Sequence, residues 1–368
     1  MSELCEHYGI SRPTGYKWVQ RFAEEGDEGL VELSRAPLSC PHRTAAATEK
    51  LIVLLQETHG WGARKILRQL RRRLDPSALP CRSTVFDILK RHGLVRERRR
   101  ARRIREVHPI FVAARPNQIW SADFKGQFRL GDGRYCYPLT VTDQASRFLL
   151  LCEALDSTRE DPAITAFERL LCERGLPLAI RSDNGVPFAS PNALFNLSKL
   201  SVWWLRLGIA IERIKPGHPQ QNGRHERMHL TLKKEATRPP GFNSLQQQDR
   251  FDAFVCEFNA ERPHEALDMK CPAELYVASA RRYDGLPELT YPFHDREVLV
   301  TACGRLCLNR KRINISTVLA GQKLGIKEVD DGIWLVSFMH YDLGYFDLEQ
   351  KTMQPLDNPF GTRLSPMS

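Results

Sequence analysis

The chain has 368 residues, enough for two or three domains of about 150 residues, and its 42% hydrophobic and 27% charged residues exclude a disordered or fibrous protein. No apolar run approaches the roughly 20 residues of a membrane span, the N-terminus lacks the order of a signal peptide, and the ten cysteines form no CxxC pair. We therefore expect a cytoplasmic protein with free thiols and no membrane partner. The whole net charge of +10 lies in residues 1–105, which hold 22 basic and 12 acidic residues, and this predicts a module that binds nucleic acid.

The first segment, residues 1–30, has the pattern of two short helices joined by a turn at Gly9. Ser11 is placed to cap the second helix, on which Tyr16, Val19 and Phe22 share one face. This is the helix-turn-helix pattern, and the residues expected to face the DNA groove are Arg12, Thr14 and Lys17. Three-helix units of this kind begin with a further helix, so the pattern fits a domain that is truncated or degraded at its start.

Residues 44–95 predict a second helix-turn-helix domain, whose middle helix carries apolar residues inward and arginines outward. Arg64 and Lys65 at the start of that helix are predicted DNA contacts. A basic linker follows at 96–112, in which Arg98, Arg99 and Arg100 are predicted to contact DNA as well. The alternative, a pair of oligomerisation helices, is disfavoured because six basic side chains in residues 64–73 would repel a like partner.

From residue 118 the pattern becomes that of an α/β sheet, with three antiparallel-type strands followed by alternating helices and strands. Asp123 lies mid-strand on the side opposite Trp120, Ala122 and Phe124. Asp183 ends a later strand, and Glu226 lies in the first turns of a helix. Carboxylates at strand ends and on a nearby helix can converge in space, and hard ions such as Mg²⁺ select oxygen ligands.

Five blocks of sequence, in this order, resemble the DDE transposases of bacterial insertion sequences, whose catalytic core is similar to that of retroviral integrases. They are W-S-A-D-F-K-G (120–126), V-T-D-Q-A-S-R-F (141–148), R-S-D-N-G-V-P-F (181–188), P-G-H-P-Q-Q-N-G-R-H-E-R-M-H-L-T-L-K-K-E (216–235) and F-N-A-E-R-P-H-E-A-L (258–267). The resemblance implies a ribonuclease H-like fold at 113–283, with Asp123, Asp183 and Glu226 as the catalytic, metal-binding triad. It also implies two Mg²⁺ ions per active site, which Mn²⁺ can replace.

The same resemblance implies metal-dependent DNA strand cleavage and strand transfer. The expected partners are double-stranded DNA, from element ends and target, and further copies of the chain in a multimer on DNA, in association with the bacterial nucleoid. Lys233 matches the family lysine that contacts the DNA end. His218 and Asn222, in the loop before the Glu226 helix, are candidates for positioning phosphate, with a structural role as the alternative.

Several features leave alternatives open. The string His225-Glu226-Arg227-Met228-His229 spells the HExxH signature of zinc metalloproteases, but no third ligand is visible around that helix. A DNA-binding regulator with a defective catalytic core is a second alternative. Between Asp183 and Glu226 lie 42 residues, about two helical turns more than the family usually has, and we expect the surplus in a surface helix or loop within 189–204. Residues 290–352 predict a small β-barrel-like domain.

Overall fold

The computed structural model describes residues 1–32, 37, 43–95, 113–215, 219–350 and 352–360. The predicted basic linker with Arg98, Arg99 and Arg100, and the predicted phosphate contact His218, lie outside the described residues. Within the described ranges, none of the helices combines the length and the apolar character needed to cross a bilayer.

The first two helices, α1 (Ser2–His7) and α2 (Arg12–Glu25), are joined by a turn in which Gly9 has a φ of 63°. The side chain of Ser11 accepts a hydrogen bond from the backbone N–H of Thr14, which is the expected cap. The shared face of α2 is uncovered, because Tyr16, Val19 and Phe22 are each more than half exposed.

The next three helices form a compact unit with its own core: α3 (Ala46–His59), α4 (Ala63–Arg73) and α5 (Arg82–Arg91). Their apolar faces bury a shared cluster that consists of Ile52, Leu55, Trp61, Ile66, Leu70, Val85, Ile88 and Leu89. The periodic apolar residues of the sequence supply this cluster, and the arginines of α4 remain outside it.

The central sheet has six strands: β1 (Ile119–Phe124), β2 (Phe128–Arg129), β3 (Tyr135–Asp143), β4 (Leu149–Leu155), β5 (Ala179–Ser182) and β6 (Ala210–Arg213). Their order is β2-β3-β1-β5-β6. Strand β4 lies outside this linear order and pairs with β3, from Tyr137 to Thr142. The first four strands pair antiparallel, whereas β1, β5 and β6 run parallel. This mixed sheet fits a ribonuclease H-like fold, the fold that the family resemblance implies.

Helices cover both faces of this sheet: α6 (Glu160–Arg174), α7 (Lys199–Arg206), α8 (Gly223–Glu235) and α9 (Ser244–Ala260). On one face, α6 and α7 bury Phe167 and Trp204 against the apolar side of β1. On the other, α8 and α9 pack Met228, Leu232 and Phe251 against β3 and β4. Because α8 carries Glu226, its packing on β3 decides where that residue points.

The chain after residue 290 forms an open sheet and a hairpin, and the predicted barrel is not confirmed. The strands are β7 (Arg296–Leu299), β8 (Arg305–Leu308), β9 (Lys311–Asn314), β10 (Lys323–Asp330), β11 (Ile333–Phe338), β12 (Tyr341–Asp347) and β13 (Met353–Pro355). Within the described residues, the sheet order is β13-β12-β11-β10-β7, with β8 and β9 paired separately. Val202 and Leu205 of α7 belong to the apolar cluster of this sheet. The helix therefore helps to cover the apolar face that a closed barrel would bury inside itself.

The segment in which the surplus residues are expected, 189–204, contacts the C-terminal sheet and is not purely a surface loop. Leu197 is fully buried in the apolar cluster of the C-terminal sheet. Phe195 packs against the same cluster, and its ring centroid lies 5.9 Å from that of Phe360. Ser198 then caps α7 by accepting a hydrogen bond from the Ser201 N–H. The longer segment therefore helps to join the central and C-terminal sheets.

Candidate active site

Asp123 and Asp183 lie on neighbouring parallel strands. The register pairs Ser121 of β1 with Arg181 of β5, and two residues further along each strand direction the chain reaches Asp123 and Asp183. Strands in a sheet are about 4.8 Å apart, so this register brings the two carboxylates to the same edge of the sheet. Asp123 extends from the side of β1 opposite the buried Ala122, as its alternation in sequence predicts.

The environment of Asp123 disfavours its ionised form. Burial, followed by the negative charges of Asp183 and Glu226, raises the pKa of this carboxyl from 3.8 to about 7. A hydrogen bond from the Phe124 backbone works in the opposite direction. The three acids of the predicted triad thus act on one another electrostatically, and a divalent cation among them would relieve the repulsion.

Asp183 and Glu226 are both exposed. The Gly185 N–H donates to Asp183 Oδ1 at 3.1 Å, and a Cβ at Gly185 would lie only 3.2 Å from Asp183 Oδ2, so a larger residue would crowd the carboxylate. The side-chain amide of Asn184 donates to the Ile214 carbonyl and fastens this turn to the end of β6. Glu226 lies in the first turn of α8, where the helix dipole favours a negative charge.

Two buried histidines attach α8 to β3. His225 and His229, one turn apart on α8, lie within hydrogen-bonding distance of Thr140 and Thr142, which lie two residues apart on one face of β3. Thr140 Oγ1 lies 2.8 Å from His225 Nε2 and 2.7 Å from His229 Nε2, and Thr142 Oγ1 lies 2.7 Å from His225 Nδ1. Burial lowers the pKa of His229 to about 3 and that of His225 well below its usual value, so both rings are neutral.

These histidines bear on the metalloprotease alternative. Asp123, His225 and His229 each bring a ligand atom within 4.8 Å of the others, which corrects the expectation that no third ligand is available near the helix. Both ring nitrogens of His225 are engaged by threonine hydroxyls, however, and His225 is only 1% exposed. A catalytic zinc needs ligands with free lone pairs and an open position, so this arrangement disfavours a protease site.

Lys233 lies on α8 two turns beyond Glu226, near the site. Burial lowers the pKa of Lys125, the positive charge of Lys233 lowers it further, and the negative charge of Asp123 raises it. Two ammonium groups therefore lie near the carboxylates. Lys125 follows β1 directly and was missed in the sequence, although it belongs to the same W-S-A-D-F-K-G block. The threonines were missed too, and their only signal was the spacing of two polar residues in a buried strand.

The remaining described candidates for DNA contact lie in three places. Asn222 is buried before α8, and its Oδ1 has no hydrogen-bond partner among the described residues. Arg64 and Lys65 face the catalytic core: Arg64 lies 3.8 Å from Glu265, and burial, followed by the charge of Arg262, lowers the pKa of Lys65 to about 8. On α2, the DNA-facing candidates are the exposed Arg12 and Lys17 and the partly exposed Thr14.

Family profiles match most of the chain. A profile described as an integrase core domain matches residues 113–219, and a second of the same description matches residues 207–272. A homeodomain-like domain profile matches residues 14–89. These matches cover the central sheet with α8 and α9, and the N-terminal region from within α2 to within α5.

Two relatives come from bacterial insertion elements. An uncharacterized protein of insertion element IS476 from Xanthomonas euvesicatoria is 30% identical over 258 residues, which cover 67% of this chain and 70% of the relative. An uncharacterized protein of insertion element IS407 from Burkholderia multivorans is 27% identical over 258 residues, covering 67% and 87%. Among solved structures, the magnesium-bound HTLV-2 integrase core in its trimeric form aligns with 17% identity and a TM-score of 0.35, covering 44% of this chain and 98% of that one.

Proposed function

Since the chain belongs to the transposases of bacterial insertion sequences in the retroviral-integrase-like superfamily, we propose that Asp123, Asp183 and Glu226 are its catalytic carboxylates. Transposases of this family are polynucleotidyl transferases that cleave and rejoin DNA strands. The observation that carries the assignment is the parallel register of β1 and β5, which brings Asp123 and Asp183 to one edge of the sheet. The rise in the pKa of Asp123 through both other acids supports the inclusion of Glu226.

The donor set fits Mg²⁺, and we propose two ions that Mn²⁺ can replace. Three carboxylates supply only oxygen donors with negative charge, which hard divalent cations prefer. Two of these acids are exposed, so an ion has a path to them. Divalent ions at such a site stabilise the charge of the attacking and leaving oxygens in an in-line displacement at phosphorus.

The protein residues position the reactants. In the first reaction, water displaces the 3′-oxygen of the element end from its phosphorus, which leaves a 3′-hydroxyl and a 5′-phosphate. That hydroxyl then attacks a phosphodiester of the target, so one phosphodiester forms as another breaks and no cofactor is consumed. The electrostatic effects of Lys233 and Asp123 on Lys125 support a role for both lysines in holding DNA phosphates beside the carboxylates.

DNA recognition is assigned to the N-terminal half. We propose that residues 1–30 and 44–95 are helix-turn-helix domains followed by a basic linker at 96–112, ahead of a catalytic domain at 113–283 and a β domain at 290–352. The positive charge of residues 44–112 supports binding of double-stranded DNA from element ends and target. Joining two ends in one complex requires a multimer of the chain on DNA, in the cytoplasm at the nucleoid.

Isosteric substitutions test the triad. Asp123→Asn, Asp183→Asn and Glu226→Gln each remove a negative ligand oxygen at nearly constant volume, so strand cleavage and joining in Mg²⁺ should fall at least a hundredfold while DNA affinity changes little. Asp249→Asn, at an exposed position on α9, is the matched control and should keep full activity. A triad variant that still joins strands at the wild-type rate loses its place in the assignment. If the wild-type protein binds DNA but neither cleaves nor joins it, the chain is a DNA-binding relic.

A further inference from the structure

We propose that His229 Nδ1 is a nitrogen donor to the cation that Asp123 holds, so that this site is not an all-oxygen site. The inference rests on the proposed function of Asp123 and extends it to a residue outside the predicted triad. His229 Nδ1 lies 3.9 Å from Asp123 Oδ2. No hydrogen bond connects the two groups at that separation.

Proton accounting at Thr140 identifies which nitrogen carries a lone pair. The Thr140 hydroxyl donates to the Asp123 carbonyl oxygen at 3.0 Å, and a carbonyl cannot donate in return. The only proton of the hydroxyl is thereby used, so the two histidine Nε2 atoms near Thr140 Oγ1 must both be N–H donors to it. In neutral rings, Nδ1 of each histidine is then an acceptor.

The two acceptors differ in what they face. Nδ1 of His225 receives the hydroxyl proton of Thr142 at 2.7 Å and is satisfied. Nδ1 of His229 faces a carboxylate oxygen, which also only accepts when ionised. Two lone pairs that face each other repel, and a positive charge between them removes the repulsion.

The separation suits a shared cation. With bonds of about 2.1 Å, two donors on one Mg²⁺-sized ion lie at most about 4.2 Å apart, so 3.9 Å requires little movement of either side chain. Imidazole nitrogen favours transition metals over Mg²⁺, whereas carboxylate oxygens alone suit both. The site should therefore bind Mn²⁺ with a preference over Mg²⁺ that depends on His229.

Mn²⁺ bound to the full-length protein provides the test, because its electron spin detects nitrogen nuclei directly. Electron spin echo envelope modulation should show a directly coordinated ¹⁴N in the wild type, and the coupling should change when histidine is labelled with ¹⁵N. His229→Gln should abolish the coupling and weaken Mn²⁺ binding roughly tenfold, with a smaller effect on Mg²⁺ measured by competition. His340→Gln, which replaces a histidine in the C-terminal sheet far along the chain from this site, should leave both unchanged.

The outcomes separate the inference from the proposed function. If Asp123→Asn removes Mn²⁺ binding but the wild-type ion shows no histidine nitrogen, the inference fails and the triad stands. A coupling that persists in His229→Gln overturns it as well. If Asp123→Asn leaves Mn²⁺ binding intact, the assignment of Asp123 itself fails. Should His229→Gln not fold, the labelled wild-type protein alone decides whether a histidine nitrogen is bound.

Discussion

The buried guanidinium of Arg262 forms an ion pair with Glu235, the last residue of α8 and nine positions beyond Glu226 on the same helix. Its guanidinium also lies 3.3 Å from Glu257 on α9 and 5.7 Å from the ring centroid of Trp61, in the second helical unit. The side chain is only 7% exposed. One arginine thus connects α8 to α9 and to the N-terminal half.

Arg262→Ala should lower the free energy of unfolding by about 2 kcal/mol, because it leaves two partly exposed carboxylates without their cation and removes a buried side chain that packs on Trp61. Denaturant melts of the full-length protein measure the loss. Arg262→Ala combined with Glu235→Gln should recover part of it, since one of the unpaired charges is then removed. If the free energy of unfolding of Arg262→Ala lay within about 0.5 kcal/mol of the wild-type value, the ion pair of Arg262 and Glu235 would not contribute to stability as proposed.

Asp123 should make the metal-free protein less stable as the pH rises. Its pKa is raised from 3.8 to about 7, so between these values the folded state holds a proton that the unfolded state has released. Stability then falls as the pH rises from about 4 to about 7. Asp123→Asn removes this loss and should stabilise the metal-free protein by on the order of 2 kcal/mol at pH 8, with a smaller gain at pH 5.

Thermal melts in a chelator at both pH values check this, with Asp249→Asn as the unchanged control. Adding Mg²⁺ should raise the Tm of the wild type and leave that of Asp123→Asn nearly constant, because a ligand stabilises only the state that binds it. If Asp123→Asn raised the stability of the metal-free protein equally at pH 5 and pH 8, the charge of Asp123 would not be the cause of the stabilisation.

The protein should purify without stoichiometric zinc, and replacement of both His225 and His229 by glutamine should leave Mg²⁺-dependent strand transfer detectable. The reason is that the three carboxylates remain as ligands in our proposal: the double variant removes one nitrogen donor, that of His229, and the contacts of both histidines with β3, so transfer should be weakened but not abolished. Elemental analysis and a strand-transfer assay measure the two quantities. One zinc per chain that disappears in the double variant would favour the metalloprotease alternative.

DNA affinity should fall steeply with salt, since counterions return to the phosphates as the protein dissociates. Changing Arg98, Arg99 and Arg100 together to alanine should lower the slope of log affinity against log salt by about one for each of these arginines that binds a phosphate. Fluorescence anisotropy with a labelled duplex measures the slope. Lys327→Ala, an exposed substitution on β10, is the control and should leave the slope unchanged.

The sequence predicts the central sheet and the placement of Asp123 because strand alternation is a local property. The two-residue period alone places Asp123 opposite Trp120 and Ala122, and the position of Asp183 at a strand end follows from the turn after it. The contacts of His225 and His229 with Thr140 depend on how α8 lies across β3, and no local pattern encodes that relation. The sequence therefore reveals the HExxH string, but neither the approach of Asp123 to these histidines nor the threonines that they contact.

The C-terminal part could not be predicted for a different reason. Alternating strands bury one face both in a closed barrel and in an open sheet that packs on a helix, so hydropathy does not distinguish the two. The structure resolves the choice through Val202 and Leu205, which lie in another part of the chain. The exposure of Tyr16, Val19 and Phe22 is equally invisible in sequence, because an apolar helix face predicts burial by default.

The apolar cluster that α7 shares with the C-terminal sheet has a consequence for how the chain can be divided. Val202 and Leu205 are covered by residues that come about a hundred positions later, among them Leu306 and Phe338. A protein that ends at residue 283 would expose this part of α7 to water. It would have an exposed apolar patch where the intact chain has a buried cluster. The C-terminal sheet therefore covers an apolar surface of the domain that contains α7. Expression of residues 113–283 alone should yield aggregates.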